Sequence, residues 1–226
     1  MMMTIIWCKP VRNTKQLLTL AKQNDAQGEM DISQFLQLPL LEQELCLTLL
    51  QDNSISIPSF TGLLPKEVSI TRSGFNNFIW ASYTKKALQT IADMGGQFVC
   101  LDNWPSRFLQ WDHEQSEAKQ QLIRYVIHAC QAAQEHGIQV LLEPLTQGYT
   151  HQLSSVEDVI EFIELVKMPN LGLSINDNIF QQHPALIQEP KLRRINVSED
   201  RCTQELKTDL QGINEHEQLV ICTTGE

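Results

Sequence analysis

The sequence predicts an α/β protein built as a closed (β/α)8 barrel, and three observations carry that expectation. Short apolar stretches alternate with helical patterns about eight times along 226 residues, with strands centred near positions 5, 35, 56, 99, 140, 173, 196 and 220. Such alternation implies parallel strands joined by right-handed crossovers. The length suits one barrel domain spanning residues 1–226. No glycine-rich phosphate loop of the GxGxxG or GxxxxGK[ST] type follows the first strand, which disfavours an open dinucleotide-binding sheet.

The first strand is Thr4 to Trp7, and Asn13 then caps a helix carrying Leu17, Leu18, Leu20 and Ala21. A second strand is expected within Met30 to Leu38, followed by a leucine-rich helix from Leu40 to Leu50. Ser54 to Ile57 alternates as a strand does, and Pro58 is expected to stop it. Residues 61–82 read equally as a long pocket-forming loop or as a poorly patterned helix.

From Thr84 the pattern is regular. A helix runs to Met94 and ends at Gly95 and Gly96, and the strand Gln97 to Leu101 leads into Asp102, Asn103, Trp104 and Pro105. A long helix from Glu114 to Glu135 precedes the strand Ile138 to Leu142, which ends in Glu143 and Pro144. Ser155 and Asp158 form an aspartate version of the capping box, opening a helix through Val166. Strands at Leu171 to Ile175, Ile195 to Val197 and Leu219 to Cys222 follow, with short helices at Pro184 to Ile187 and near Glu205 to Leu210. The sequence stops after the eighth strand, so the last outer helix is expected to be missing or short.

Composition narrows the function. A formal net charge of −10 disfavours nucleic acid and anionic membranes as partners, since both reward a basic face. No apolar run approaches the roughly 18 residues of a membrane span. Six cysteines at 8, 46, 100, 130, 202 and 222 make no C-x-x-C pair, so they read as reduced core thiols of a cytoplasmic protein.

Barrel chemistry collects at the C-terminal ends of the strands. Glu143 stands there, directly after Val140, Leu141 and Leu142. It reads as a metal ligand or general base on one view, and as a salt-bridged structural carboxylate on the other. Trp7, Asp102, Asn103, Trp104, His151, Asn176, Asn196 and Glu199 suit hydrogen bonding and stacking on a polyol. Duller roles exist: Asp102 and Asn103 capping a loop, Trp104 as packing, and Asn176 satisfying backbone groups. Lys191, Arg193 and Arg194 read as surface charge, although Arg194 shares strand parity with Asn196 and on that count faces inward.

The run from Gly137 through Glu143-Pro144 to Gln147, then Leu153 to Ile163, then Met168 to Asn176, resembles the xylose isomerase-like TIM barrel superfamily of sugar isomerases, epimerases and endonuclease IV. The likeness holds from about Gly95 to Glu199. It implies a sugar or polyol isomerase or epimerase acting on a small carbohydrate-type substrate. It also implies a divalent metal (Mn, Mg, Co or Zn) held by Glu, Asp, His and Glu on strands five to eight. Two glutamates there move a proton through an enediolate.

Carried over by position, the first ligand is Glu143 and the Asp position is Asn176, with Asp177 adjacent. The His position is Asn196 and the last Glu position lies near Thr223, leaving Glu199 or Glu226 to replace the second acid–base group. The likeness therefore implies a degraded metal site, with Glu143, Asn176 and Asp177 as its remaining candidates. The alternative is a catalytically degenerate barrel that binds a small molecule or a protein, without metal, as a homo-oligomer covering the truncated eighth unit. A repair nuclease ranks last, because it needs clustered histidines and a basic face.

Overall fold

The computed structural model describes residues 4–22, 27–102, 107, 114–145, 153–198 and 218–224. Eight parallel strands close into a barrel in sequence order, β1 (Thr4–Val11), β2 (Gln27–Asp31), β3 (Ser56–Thr61), β4 (Phe98–Leu101), β5 (Gln139–Leu142), β6 (Leu171–Asn176), β7 (Leu192–Ser198) and β8 (Gln218–Thr224). Closure is made by β8 against β1, with Ile6 opposite Val220 and Cys8 opposite Cys222. The connecting helices are α1 (Thr14–Leu20), α2 (Ile32–Gln37), α3 (Leu40–Asp52), α4 (Asn77–Asp93), α5 (Gln115–Gln134), α6 (Val156–Val166) and α7 (Asp177–Gln182). Among the described residues no helix is long and apolar enough to cross a membrane.

Strand alternation sorts side chains into two cores. Val99, Leu101, Val140, Leu142 and Ile221 point outward and bury against the helices. Ile6, Cys8, Phe98, Cys100, Leu141, Val220 and Cys222 form a separate apolar plug inside the barrel. Above that plug the inward positions turn polar, and this change sets the site.

Two elements differ from expectation near the N-terminus. The second strand is Gln27–Asp31, and Ile32 to Gln37 is helical. Asp31 explains the abrupt switch. Its carboxylate accepts from Gln34 N at 3.0 Å and Ser33 Oγ at 2.7 Å, so the last strand residue is also the helix N-cap.

Pro58 does not end β3. The strand continues to Thr61 because its ladder with β2 shifts register between Gln27 and Glu29, and a bulge accommodates a residue that cannot donate. The carbonyl of Pro58 still accepts from Gln97 N at 2.8 Å.

Residues 61–82 combine both readings. They form a loop up to Asn76, whose side chain accepts from the Phe78 and Ile79 amides and starts α4 seven residues before Thr84. The Ser155–Asp158 capping box is present as expected. The final helix expected near Glu205 to Leu210 lies outside the described residues.

Candidate functional site

The polar mouth is organised by one cation, Arg194 on β7, which is 2% exposed. Its parity with Asn196 turns it into the barrel, correcting the surface-charge reading. Nε and Nη2 donate to the two carboxylate oxygens of Glu29 on β2 at 2.9 and 2.8 Å. Nη1 donates to Ser174 Oγ on β6 at 2.9 Å and reaches Glu143 Oε2 at 3.4 Å. Ser59 Oγ on β3 donates to Glu29 Oε2 at 2.6 Å, and Ser174 Oγ donates to Glu143 Oε2 at 3.3 Å.

Burial disfavours the Glu29 anion, but the Arg194 guanidinium outweighs it and holds the carboxyl below its ordinary range. Burial likewise disfavours the Arg194 cation, and Glu29 reverses the balance, raising its pKa well above normal. The pair is therefore locked in its ionised form.

Glu143 sits at the end of β5 with its side chain 15% exposed. Its carbonyl accepts from Arg107 Nη2 at 2.5 Å. Arg107 is fully buried, and among the described residues its Nε and Nη1 have no acceptor. Burial lowers its pKa to about 10.

Asp102, just past β4, is pushed up to about 6 by burial, opposed by the Gly62 amide and Arg194. The Gly62 amide donates to Asp102 Oδ1 at 3.0 Å. Gly62 holds a φ of +66°, and a Cβ there would run into the Asp31 carboxylate. A carboxyl that titrates near neutrality at a barrel mouth is suited to proton transfer.

Glu29, Asp31, Thr61, Asp102, Arg194 and Asn196 share the wall of a cavity of about 320 Å3 that opens between the strand ends and the first two helices. The size falls within the range of small-molecule pockets, roughly 300–1,000 Å3. Asn196 Oδ1 is buried without a hydrogen-bond partner among the described residues. Such an orphaned acceptor is satisfied by a ligand or water donor.

The remaining expected residues divide. Asn176 spends its side-chain oxygen on the Ile179 amide at 3.1 Å, capping α7, and Asp177 stands in the first turn of that helix. Thr223 Oγ1 donates to the Cys8 carbonyl at 3.4 Å. Trp7 is turned to the outer face of β1 and packs on the helix-side core, so it does not join Glu143. Asn103, Trp104, His151, Glu199 and Glu226 lie outside the described residues.

These donors do not fit a divalent cation. Glu143 faces a guanidinium, Asn176 is committed to a helix cap, and Asn196 and Thr223 are neutral. Among the described residues no three His, Cys, Asp or Glu side chains converge as ligands.

Glu29, Ser59, Ser174 and Arg107 are the members that sequence reasoning missed, whereas the inward placement of Arg194 agrees with its strand parity. A β2 read as Gln27–Asp31 would have marked Glu29 as a carboxylate inside a buried strand.

A sequence profile described as xylose isomerase-like TIM barrel matches residues 28–176. No curated protein sequence matches the chain. The fold is similar to 3-keto-D-glucoside 4-epimerase from E. coli, with a TM-score of 0.76 at 12% identity over 99% of this chain and 92% of that one. D-psicose 3-epimerase from Clostridium cellulolyticum, solved with D-tagatose, gives 0.72 at 11% identity over 99% and 84%. A family 2 AP endonuclease from Brucella melitensis gives 0.71 at 13% over 96% and 92%. At these identities the likeness speaks for the fold alone.

Proposed function

The chain belongs to the xylose isomerase-like TIM barrel family, and on that premise we propose that it binds a small carbohydrate-type molecule at the C-terminal mouth of the barrel as a divergent sugar isomerase or epimerase. The observation that carries the reading is the cavity wall itself. It combines an orphaned acceptor, Asn196 Oδ1, with a carboxyl that titrates near neutrality, Asp102, beside the fixed charges of Glu29 and Arg194. Hydroxyl-rich molecules supply donors and acceptors in the density such a wall needs. Several solved neighbours are named as keto-sugar epimerases, which supports the substrate class.

In this reading Asp102, on the cavity wall, exchanges protons with the substrate, and Glu143, off that wall behind Arg194, is the proposed second proton-transfer group. Asp102 cycles between its two forms near neutral pH, and Glu143 lies 3.4 Å from the Arg194 guanidinium. Asn196 and Thr61 take hydroxyl groups. Asn103, Trp104, His151 and Glu199 belong to the proposal as residues of adjoining segments.

A second reading is a barrel that binds the sugar without turning it over. The engagement of Glu143 by Arg194 and Ser174 favours it, since that carboxylate already has two partners within the barrel. Proton NMR of the purified protein with a panel of ketoses and aldoses in D2O separates the two. Deuterium incorporation at a carbon beside the carbonyl, lost in Asp102→Asn, supports the enzyme. Ligand-dependent shifts without incorporation support binding alone. Absence of both refutes a carbohydrate pocket.

A further inference from the structure

We propose that Arg194 is a protein-borne cation standing in for the divalent metal, so that this mouth works independently of metal. The inference rests on the family membership used above, not on which carbohydrate binds.

The argument begins with donor accounting. A guanidinium has five N–H donors. Two go to Glu29, one to Ser174 and one to Glu143, so four are engaged by residues from β2, β5 and β6. The group is therefore fixed in place from several sides rather than swinging at the end of a flexible stem.

Its charge is permanent, because Glu29 opposes any loss of the proton. A metal ion approaching Glu143 Oε2 would meet this positive charge 3.4 Å from the oxygen it needs. The remaining family positions offer nothing to offset that repulsion. Asn176 and Thr223 are already hydrogen-bonded to backbone atoms, and Asn196 carries no charge.

The substitution also explains why Glu29 is tolerated in the interior. A buried carboxylate needs a partner, and here one guanidinium serves two carboxylates on opposite sides of the lumen. A metal at Glu143 would leave Glu29 to be neutralised by other means. The functional difference is geometric: a guanidinium meets substrate oxygens through directed N–H groups and cannot be removed by a chelator.

The test is a titration of the full chain with Mn2+, followed by the electron paramagnetic resonance signal of the free ion and by melting temperature with and without EDTA. The wild-type protein is expected to show no binding tighter than about 1 mM and no shift with EDTA. Arg194→Gln, which frees the carboxylates of Glu29 and Glu143, is expected to bind Mn2+ about tenfold more tightly than wild type. Wild-type binding below that limit that disappears in Glu143→Gln overturns the inference, as does a folded Arg194→Gln with unchanged affinity. Because Arg194→Gln leaves Glu29 buried without its cation and can fail to fold, the wild-type titration decides on its own. Failure to bind any sugar would refute the preceding section and leave this inference standing, while Mn2+ bound at Glu143 would do the reverse.

Discussion

Replacing Asp102 by Asn should make the protein more stable at alkaline pH, and the size of the effect follows from burial. The folded state raises the Asp102 pKa from 3.8 to about 6 because the anion loses solvent, although the Gly62 amide and Arg194 act in the other direction. A carboxyl whose folded pKa lies above its unfolded value favours the folded state most when protonated. That contribution is lost as pH rises through the interval between the two values.

Each whole step of pKa is worth about 1.4 kcal/mol, so the ceiling is about 3 kcal/mol, lowered by partial solvent screening. Asn carries no charge to bury and keeps an oxygen for the Gly62 amide. Urea unfolding of both proteins should show the advantage of the variant growing by about 2 kcal/mol between about pH 4.5 and about pH 8. A constant offset across that range, or one that grows toward acid, would refute the assignment of a destabilised anion at this position.

Two further outcomes test the architecture. Arg194→Met strands two carboxylates and should cost about 3–5 kcal/mol in urea unfolding, whereas Glu29→Met combined with Arg194→Met should recover most of that loss. Since Glu29 has a depressed folded pKa, its stabilising contribution is present above its unfolded value and disappears as pH falls through the folded one. The wild-type advantage over the single variant should therefore shrink in acid. Ser155→Ala removes the oxygen that accepts from the Asp158 amide at 3.0 Å and should lower stability by about 1 kcal/mol, read as a shifted urea midpoint with an unchanged slope.

The fold was legible wherever the sequence spaced its elements with capping and turn residues. Gly95 and Gly96 close α4, Gly137 follows α5, and Ser155 opens α6, so the strands from β4 to β6 fell where their apolar runs indicate. The N-terminal third was harder for a physical reason. Asp31 both finishes β2 and caps α2, so no intervening turn separates a two-residue period from a helical one.

The candidate site was legible as single positions but not as a constellation. Glu143 announced itself by following three buried residues and preceding a proline. Its partners could not be inferred, because Glu29 and Arg194 are separated by 165 residues and meet only when the barrel closes. Trp7 takes the outer face of β1 because its neighbours Ile6 and Cys8 occupy the inner one, a parity that a short apolar run does not reveal.

The lacing of β2, β3, β5, β6 and β7 around one guanidinium also bears on how the chain reaches its native state. A nascent half-barrel holding β2 and β3 carries Glu29 and Ser59 but lacks the side chain that neutralises the carboxylate. Contacts of such long sequence separation form late, after the entropy of closing the intervening loop has been overcome. In the native barrel the pairing of these charges therefore depends on strands that are far apart in sequence being brought together by closure.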